Sequence, residues 1–432
     1  MKRHDWKGLV AEERLVALAR PVQRDDEALL ASVRTIVDDV ESRGWDAVAE
    51  YGERLDGEVP RLVPTAPLAQ KATAGLSAEQ NIALQLAVRN IGAFHADSLP
   101  PEHWVETMPG LRVGKVWRPI DRVGLYIPGG ATPLFSTLLM LAIPARAAGV
   151  AEIVVATPPS PPGGLGPMVA LAAQLCGIDA VWTVGGSQAI AALAFGAGPI
   201  PRVDKIFGPG NAYVSAAKSY IAARPGGPAI DLPAGPSELM VLADDSADPR
   251  LVAADLLSQA EHDPCAQVLL VTLSRALADG VEAALRASVS RLPRHAIAAT
   301  ALSFARILIV ESLDEGIDIA NAYAPEHLSL AVEDPDLLVP RVRNAGAIFA
   351  GHMAAETFGD YLAGPSHVLP TDGAARAFSG ISVHSFLKSM SVQQVDAEAA
   401  FEVARHAALL ARLEGLEAHA LAADLRLQGR AA

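Results

Sequence analysis

Cysteine is scarce in this sequence: Cys176 and Cys265 are the only two among 432 residues, and they lie far apart in the chain. That pattern excludes a disulfide framework and predicts a reducing, cytoplasmic setting. CxxC pairs and an HExxH sequence are also missing, so the chain lacks the common motifs of structural zinc modules and zinc hydrolases. The longest apolar stretch, 134–150, is interrupted by Pro144 and Arg146. The first residues have no signal-peptide core, so we expect no membrane span.

Positive charge is also in short supply. The chain has 35 Lys and Arg residues against 49 Asp and Glu residues, which gives a formal net charge of −14. This balance argues against nucleic acid or an anionic membrane as the main partner. Apolar residues make up 51% of the chain, enough for large buried cores, and the length predicts roughly two to four domains.

Apolar strands alternate with glycine turns and helices through much of the chain. Three such turns are Gly129-Gly130, Gly185-Gly186 and Gly208-Pro209-Gly210. This alternation predicts a parallel sheet with right-handed crossovers. A later series of apolar runs predicts a second sheet of the same kind, with runs at 239–243, 268–272 and 307–310.

The expected fold class is therefore α/β, with two Rossmann-like parallel-sheet domains, one inserted in the other. Residues 126–235 are predicted to form the inserted nucleotide-binding domain. Residues 26–125 and 236–381 are predicted to form the discontinuous α/β domain that carries the catalytic and metal residues. Residues 1–25 are expected to be a separate N-terminal segment that buries little surface on its own.

The C-terminal tail, 382–432, is expected to end in an amphipathic helix from Ala397 to about Leu413. The tail is too small to form a core by itself. We therefore expect it to pack on a neighbouring protein chain.

The glycine turns are candidates for a nucleotide site. Backbone N–H groups and helix N-termini at such turns can face a phosphate. Tyr126, Gln188 and Asn211 lie in or beside the turns and could contact a nucleotide. A complete GxGxxG fingerprint is absent. Ordinary strand-to-helix turns give the same local pattern, so both interpretations stay open.

Gln259 and His262 are candidate metal ligands. They follow a run of helical apolar spacing, and on a helix they would share one face. With Asp360 in a glycine turn and His419 near the C-terminus, they would make a nitrogen and oxygen ligand set suited to zinc. The local alternatives are a helix end with a surface histidine and an ordinary Gly-Asp turn.

Glu326 and His327 are candidate acid and base groups. They are adjacent, follow Pro325, and lie between apolar neighbours. A histidine exchanges protons near neutral pH, and a shielded glutamate can activate water. The alternative is a surface Glu-His pair in front of a strand.

Taken together, these motifs resemble the histidinol dehydrogenase family. The resemblance covers the chain from about residue 110 to 426, in the order found in the family. Its matching segments are 123–130, 186–196, 205–213, 231–238 (DLPAGPSE), 256–262, 325–328, 359–361, 367–371 and 414–419.

The resemblance implies an NAD-dependent homodimer with one zinc ion per subunit. Its reaction would be the final step of histidine biosynthesis, the four-electron oxidation of L-histidinol to L-histidine through a bound aldehyde, with two NAD molecules used in turn. The tail crosses the dimer in this family, so small extended N- and C-terminal segments would swap between protomers.

The resemblance also implies a role for each candidate residue. Zinc would be bound by Gln259, His262, Asp360 and His419. Glu326 and His327 would be the acid/base pair. Ser237, His367 and Glu414 would contact the substrate, together with His327 and the zinc ligands. Tyr126, Gln188 and Asn211 would contact NAD. Because the tail crosses over, Glu414 and His419 would serve the active site of the other protomer.

The sequence departs from the family pattern where the tail begins. Ser385 and Ser389 stand where the family usually has an Asp and an Arg. The loss of both charges predicts that a local ion pair is missing there, which would weaken the anchoring of the tail.

Other functions remain as alternatives. A relative that oxidises another small polar alcohol, such as a sulfonated diol, would lack groups that recognise an amine and an imidazole. Glu356, His367 and Glu414 are all present and favour histidinol. A zinc hydrolase using Glu326 would leave the nucleotide-type turns unexplained, and a non-catalytic binding protein would show no turnover.

Overall fold

The computed structural model describes residues 1–20, 27–129, 134–161, 163–232 and 235–428. The β-strands are β1 (Lys2–Asp5), β2 (Leu62–Pro64), β3 (His103–Met108), β4 (Leu111–Pro119), β5 (Arg122–Tyr126), β6 (Glu152–Thr157), β7 (Ala180–Thr183), β8 (Lys205–Phe207), β9 (Ala229–Ile230), β10 (Glu238–Ala243), β11 (Gln267–Thr272), β12 (Arg306–Ile309), β13 (His327–Ala331), β14 (Ala347–Ala350) and β15 (Leu387–Val395). The α-helices are α1 (Ala11–Leu18), α2 (Glu27–Arg43), α3 (Trp45–Tyr51), α4 (Ala66–Gly75), α5 (Ala78–Asp97), α6 (Phe135–Ala147), α7 (Pro167–Leu175), α8 (Gly186–Phe195), α9 (Ala212–Ala222), α10 (Pro249–Ala260), α11 (Arg275–Val289), α12 (His295–Phe304), α13 (Leu313–Tyr323), α14 (Glu356–Tyr361), α15 (Ala397–Leu413) and α16 (Glu417–Gln428).

The first sheet has the strand order β2-β7-β6-β5-β8-β9. Its neighbouring strands are parallel except for β2 and β7. Alternate residues of β6 face opposite sides, as the pleat requires. Val155 packs in the core with α4 to α7, and Val154 packs in the core with α2, α3, α8 and α9. The first sheet is therefore covered by helices on both faces, as the alternating pattern predicts.

The second sheet has the order β1-β12-β11-β10-β13-β14, and its neighbouring strands are all parallel. Strands β10, β11 and β13 are buried along their whole lengths. Burial on both faces explains why these strands are uninterrupted apolar runs in the sequence. Two α/β units with parallel sheets are thus confirmed. No helix within the described ranges is long and apolar enough to cross a membrane.

The packing differs from the predicted domain division. Helices α2 to α5 pack against the helices of the first sheet, and β5 is a central strand of that sheet. Residues 26–125 therefore do not pack as part of the unit that contains 236–381. The N-terminal segment also differs from expectation, because β1 is the edge strand of the second sheet and pairs with β12. Sequence periodicity carries no information about which sheet a helix covers.

The tail begins with a third, antiparallel sheet of order β15-β4-β3. Strand β15 pairs with β4 along its nine residues, and Ser389 is opposite Trp117 in that ladder. The Lys205 ammonium also donates a hydrogen bond of 3.0 Å to the Ser385 carbonyl. These contacts anchor the start of the tail even though Ser385 and Ser389 carry no charge. Helix α15 has the predicted bounds, and it packs mainly on α16.

Helix α5 contains a histidine in an unusual environment. The helix begins with a capping box between Ser77 and Gln80, and it buries Leu84, Ile91 and His95. Both ring nitrogens of His95 are buried, and neither has a hydrogen-bond partner within the described residues. Burial lowers the pKa of His95 to about 4 because the charged ring would lose its hydration.

We predict that His95 makes the protein sensitive to acid. Its pKa is lower in the folded chain than its ordinary value of about 6.5. As the pH falls from about 6.5 to 4, the unfolded chain takes up the proton first, so the wild type loses stability. Between pH 7 and pH 5, the free energy of unfolding should fall by roughly 1–3 kcal/mol less in His95→Leu than in the wild type. Urea unfolding at the two pH values measures this difference. His103→Leu, at an exposed position, is the control. Equal acid sensitivity in His95→Leu and the wild type would contradict the prediction.

Candidate active site

The catalytic candidates lie where the buried strands of the second sheet begin. Glu238 is the first residue of β10, and His327 is the first residue of β13. The two strands are parallel neighbours, with Leu239 opposite His327. Parallel strands begin at the same edge of a sheet, so residues that are far apart in the sequence meet there.

Glu326 and His327 are both held by the backbone of Glu238. The Glu238 N–H donates a 2.8 Å hydrogen bond to Glu326 Oε2. The Glu238 carbonyl is 3.0 Å from His327 Nδ1. A carbonyl oxygen can only accept, so Nδ1 carries the ring proton and Nε2 keeps its lone pair. Within the described residues, His327 Nε2 is buried and has no hydrogen-bond partner.

Burial sets the charge states that this pair favours. Both residues are almost completely buried, with exposures of 5% for Glu326 and 4% for His327. Burial lowers the pKa of His327 to about 4, which favours a neutral imidazole at neutral pH. Burial also raises the pKa of Glu326 well above its ordinary value. A neutral base and a carboxyl group of raised pKa are suited to proton transfer near neutral pH.

Gln259 lies in the last turn of α10, and its environment is unusual. Its exposure is 1%, yet both side-chain amide atoms lack hydrogen-bond partners within the described residues. His262 lies just past the helix end, where its N–H donates to the Gln259 carbonyl at 3.2 Å. The prediction that both share a helical face is therefore wrong in detail, because His262 lies in the following turn.

Asp360 and His367 come from α14 and the segment that follows it. Burial raises the pKa of Asp360 to about 6. His367 Nδ1 donates to the Asp360 carbonyl at 3.0 Å, and the Thr137 hydroxyl is 3.1 Å from Nε2. Because Nδ1 carries the proton, Nε2 accepts from Thr137. Thr137 belongs to α6, so His367 connects the two α/β units.

Electrostatic interactions connect most of the predicted site residues. The charge of Asp360 acts on Glu326, and the His262 ring acts on His327 and His367. Helices α10 and α14 are also in contact. His262, Glu326, His327, Asp360 and His367 therefore lie in one neighbourhood, and Gln259 is on a helix that contacts the helix of Asp360. Ser237 immediately precedes Glu238 in the chain, and its carbonyl accepts from the Gln267 N–H at 3.0 Å.

Glu356, one of the residues whose presence favours histidinol in the sequence, lies beside His327. Its exposure is 1%, and Oε1 lies 3.7 Å from His327 Nδ1. Burial raises the pKa of Glu356 well above its ordinary value. Oε2 has no hydrogen-bond partner among the described residues. Its position could have been suspected from its spacing to Asp360, because residues four apart share a helix face.

Glu414 and His419 are not brought to this group within the single chain. Both side chains are exposed, and they lie where α15 ends and α16 begins. In the described part of one chain, no three or more His, Cys, Asp or Glu side chains are arranged to hold a metal. Three of the four predicted ligands, Gln259, His262 and Asp360, lie outside the tail. Only two of these three, His262 and Asp360, are of the residue types just named, because Gln259 carries an amide.

The three predicted nucleotide contacts share one cavity. This cavity has a volume of about 410 Å³, and Tyr126, Gln188 and Asn211 all line it. It lies beyond the carboxyl ends of β5, β7 and β8, where α/β sheets commonly bind ligands. Asn211 caps α9, because its side chain accepts from the Val214 N–H at 3.2 Å.

The glycine turns differ from the predicted phosphate cradles. The Gly185 N–H donates to Asp56 at 2.8 Å, and Gln188 Nε2 donates to the same carboxylate oxygen at 3.1 Å. The Gly208 N–H likewise donates to Asp231 at 2.7 Å. Carboxylates of the protein therefore occupy two of the donors proposed for phosphate. The third turn includes Gly130, which lies outside the described residues.

Comparison with known proteins agrees with this geometry. A family model for histidinol dehydrogenase matches residues 19–427. The histidinol dehydrogenase of Xanthomonas euvesicatoria pv. vesicatoria is 46% identical over 428 residues, with 99% of each chain covered. That of Xylella fastidiosa strain 9a5c is 46% identical over 429 residues, again with 99% of each chain covered. The crystal structure of histidinol dehydrogenase from Elizabethkingia anophelis has a TM-score of 0.95 and 38% identity, covering 100% of this chain and 99% of that one.

These matches define an NAD-dependent oxidoreductase of the α/β class. The chain belongs to the histidinol dehydrogenase family, which confirms the resemblance inferred from its motifs. An acetylating aldehyde dehydrogenase from Geobacillus thermoglucosidasius has a TM-score of 0.50 at 16% identity, covering 86% of this chain and 98% of that one. That likeness concerns the fold alone.

We predict that Gln188→Glu weakens NAD binding by about tenfold or more. Gln188 is buried and donates to Asp56. A second carboxylate there would repel Asp56 and add negative charge to the cavity in which the sequence predicts an anionic dinucleotide. Isothermal titration calorimetry with NAD would measure the dissociation constant. Gln174→Glu is a matched control on α7, outside the residues that line the cavity. Unchanged affinity in Gln188→Glu would count against NAD binding in this cavity.

Proposed function

We propose that this protein catalyses the zinc-dependent, NAD-linked oxidation of L-histidinol to L-histidine through bound L-histidinaldehyde. The observation that carries the proposal is the state of His327. Its Nδ1 is fixed on the Glu238 carbonyl, and its Nε2 is buried without a partner in the described chain. A neutral imidazole held in one tautomer beside a buried carboxyl group is suited to removing a hydroxyl proton.

The residues present fit a divalent cation. The amide of Gln259 is buried and unpaired within the described residues, His262 follows in the next turn, and the helix that carries Asp360 contacts α10. An amide oxygen, an imidazole and a carboxylate are suitable zinc donors. When bound, zinc would supply a redox-inert Lewis acid that orients polar groups of the substrate. Gln259, His262 and Asp360 would hold it, with His419 of the partner subunit as the fourth ligand.

The substrate would be placed by groups on both sides of the site. Ser237 and His367 would contact it from this chain, and Glu414 of the partner subunit would neutralise its amine. Thr137 accounts for the orientation of His367, because its hydroxyl lies 3.1 Å from Nε2. Correct placement of a reacting group lowers the entropic part of the barrier.

Proton transfers would then be divided between two residues. His327 takes the hydroxyl proton through Nε2 as the substrate is oxidised to the aldehyde. Glu326 takes a proton from a water molecule that adds to the bound aldehyde, and the carbonyl oxygen takes up the proton that His327 holds, which gives the hydrate. His327, after releasing its first proton, serves again as the base when the hydrate is oxidised to the carboxylate. NAD, held by Tyr126, Gln188 and Asn211, supplies the hydride acceptor in each oxidation.

A homodimer with shared sites is part of this proposal. Glu414 and His419 are exposed in one chain and belong to a tail whose helices pack mainly on each other. A second chain that receives this tail would gain the two remaining groups of the site. The N-terminal segment is not needed for such an exchange, because β1 pairs within its own second sheet.

The decisive experiment is the yield of NADH per molecule of L-histidinol. We expect two NADH per histidinol consumed, and we expect activity to disappear after thorough chelation and return with Zn²⁺. NADH formed only with another small polar alcohol, such as a sulfonated diol, would support that alternative instead. Hydrolysis without NAD, or activity that survives complete removal of metal, would overturn the proposal.

We predict that His327→Asn lowers kcat by about 10³-fold or more while the metal content stays unchanged. Asparagine can keep a hydrogen bond to the Glu238 carbonyl but cannot accept the proton. Stopped-flow NADH formation gives kcat, and atomic emission gives the zinc content per subunit. His352→Asn, at a histidine that bonds to Ser246 outside this site, is the matched control. Metal loss in His327→Asn would argue for a ligand role instead.

A further inference from the structure

Arg20 and Glu238 form an ion pair behind the catalytic candidates. Both Nε and Nη2 of Arg20 donate to the Glu238 carboxylate, with Nη2 at 2.9 Å from Oε2. The Glu238 side chain is 4% exposed and that of Arg20 is 19% exposed. The Arg20 guanidinium also lies over the Tyr323 ring, 4.0 Å from its centroid. This arrangement fixes Arg20 in one orientation, because the paired donors and the ring each constrain the guanidinium plane.

The backbone of Glu238 is the support of the catalytic pair. Its N–H donates to Glu326, and its carbonyl accepts from His327 Nδ1. The side chain of Glu238 therefore binds Arg20, while its backbone binds Glu326 and His327. Arg20 holds the carboxylate on one side, and the two catalytic candidates depend on the peptide groups on the other. A movement of Glu238 would displace both Glu326 and His327.

Two strained residues adjoin the same ion pair. In the described chain, the only non-glycine residues with positive φ are Ala324, at 54°, and Asp372, at 55°. The Asp372 N–H donates to Glu238 Oε1 at 3.0 Å. Arg20 Nη2 donates to the Tyr323 carbonyl at 3.0 Å, next to Ala324. Ala324 is two residues before Glu326 and ends helix α13. Such strain persists only where surrounding contacts over-determine the backbone, and it concentrates at functional sites.

We propose that Arg20 is a positioning residue: by fixing the Glu238 carboxylate, it holds the backbone that orients Glu326 and His327. The proposal rests on the proton-transfer roles proposed above for those two residues. Arg20 belongs to the N-terminal segment, whose Ala19 carbonyl accepts from Gln267 and Arg306. Arg20 thus acts on the site of its own chain through Glu238.

A purely structural role is the competing explanation. A buried ion pair is a weak source of stability, because the loss of hydration offsets much of its attraction. Stability alone therefore gives little reason for a charged pair at this position. Positioning differs in its consequences: it should affect the chemical step and its pH dependence, whereas a structural role should affect unfolding alone.

The test is the double variant Arg20→Met with Glu238→Gln. Removing both charges avoids leaving an unpaired buried carboxylate. We expect kcat for L-histidinol to fall about 10- to 100-fold, the effect of small misplacement of catalytic groups. The KM for NAD should stay within about twofold, because neither residue lines the cofactor cavity. The acid side of the kcat/KM profile should shift to lower pH as the His327 hydrogen bond to the Glu238 carbonyl weakens.

Arg14→Met is the matched control in the same N-terminal segment. Arg14 donates to the Leu9 and Trp6 carbonyls and lies over the Trp6 ring. It resembles Arg20 in its contacts but does not touch Glu238. We expect Arg14→Met to lower the unfolding temperature while kcat and the pH profile stay those of the wild type. The same pH shift in both variants would overturn the positioning role.

A second variant keeps the proposal testable if the double variant does not fold. Arg20→Lys keeps the charge but cannot form the paired hydrogen bonds. A kcat about tenfold lower at unchanged KM for NAD would support positioning, and a wild-type kcat would overturn it. Failure of the proposed function is a separate outcome, because the wild type itself would then form no NADH from L-histidinol.

Discussion

The parallel pairing of β10 with β13 is the constraint on which the catalytic site depends. The strands carry Glu238 and His327 at their starts, with Leu239 opposite His327. Both strands are buried on both faces, so their register is strongly specified. A slip by one residue would exchange the faces of His327 and Leu328. The hydrophobic core of the second sheet therefore determines where the polar groups of the site lie.

The site gathers acidic groups that are costly to ionise together. Burial raises the pKa of Glu326, Glu356 and Asp360, and the charges of Glu326 and Asp360 raise that of Glu356 further. A cation or a protonated amine among them would relieve this repulsion. The proposed metal and the amino alcohol are both positively charged partners. The electrostatics of these side chains thus favour the same kind of ligand that the family suggests.

Much of the fold and the site could be predicted because the signals are local. The apolar runs predicted the central strands of both sheets but not the edge strands β1, β2 and β9. The spacing of 397–413 predicted a helix with the observed bounds. Glu326, His327, Gln259, His262 and Asp360 stood out by their residue types and neighbours, and the structure holds Glu326 and His327 on the backbone of one residue, Glu238. The family resemblance supplied the roles, which local patterns left open.

The remainder could not be predicted because it depends on contacts across the whole chain. Asp56 binds Gly185 over a separation of 129 residues, and Arg20 binds Glu238 over 218. No periodicity or motif indicates such pairs before the sheets are assembled. The same holds for helices α2 to α5, whose amphipathic pattern shows that one face is buried but not which sheet buries it. Asp56 is the instructive case, because a free helix N-terminus was expected where a carboxylate is bound.

The C-terminal tail carries both exposed apolar side chains and two of the predicted site residues. Its helices expose several large apolar side chains, Leu409, Leu410, Leu413, Leu416, Leu421 and Leu425. Clustered apolar exposure of this kind favours burial against another protein surface. Glu414 and His419 lie within the same short stretch, so one docking event would cover the leucines and deliver both polar groups. The strand β15 anchors the start of the tail to its own chain, which leaves the helices as the part available to a second copy. Dimer formation, driven by burial of the leucines, would then complete the catalytic site in the same step.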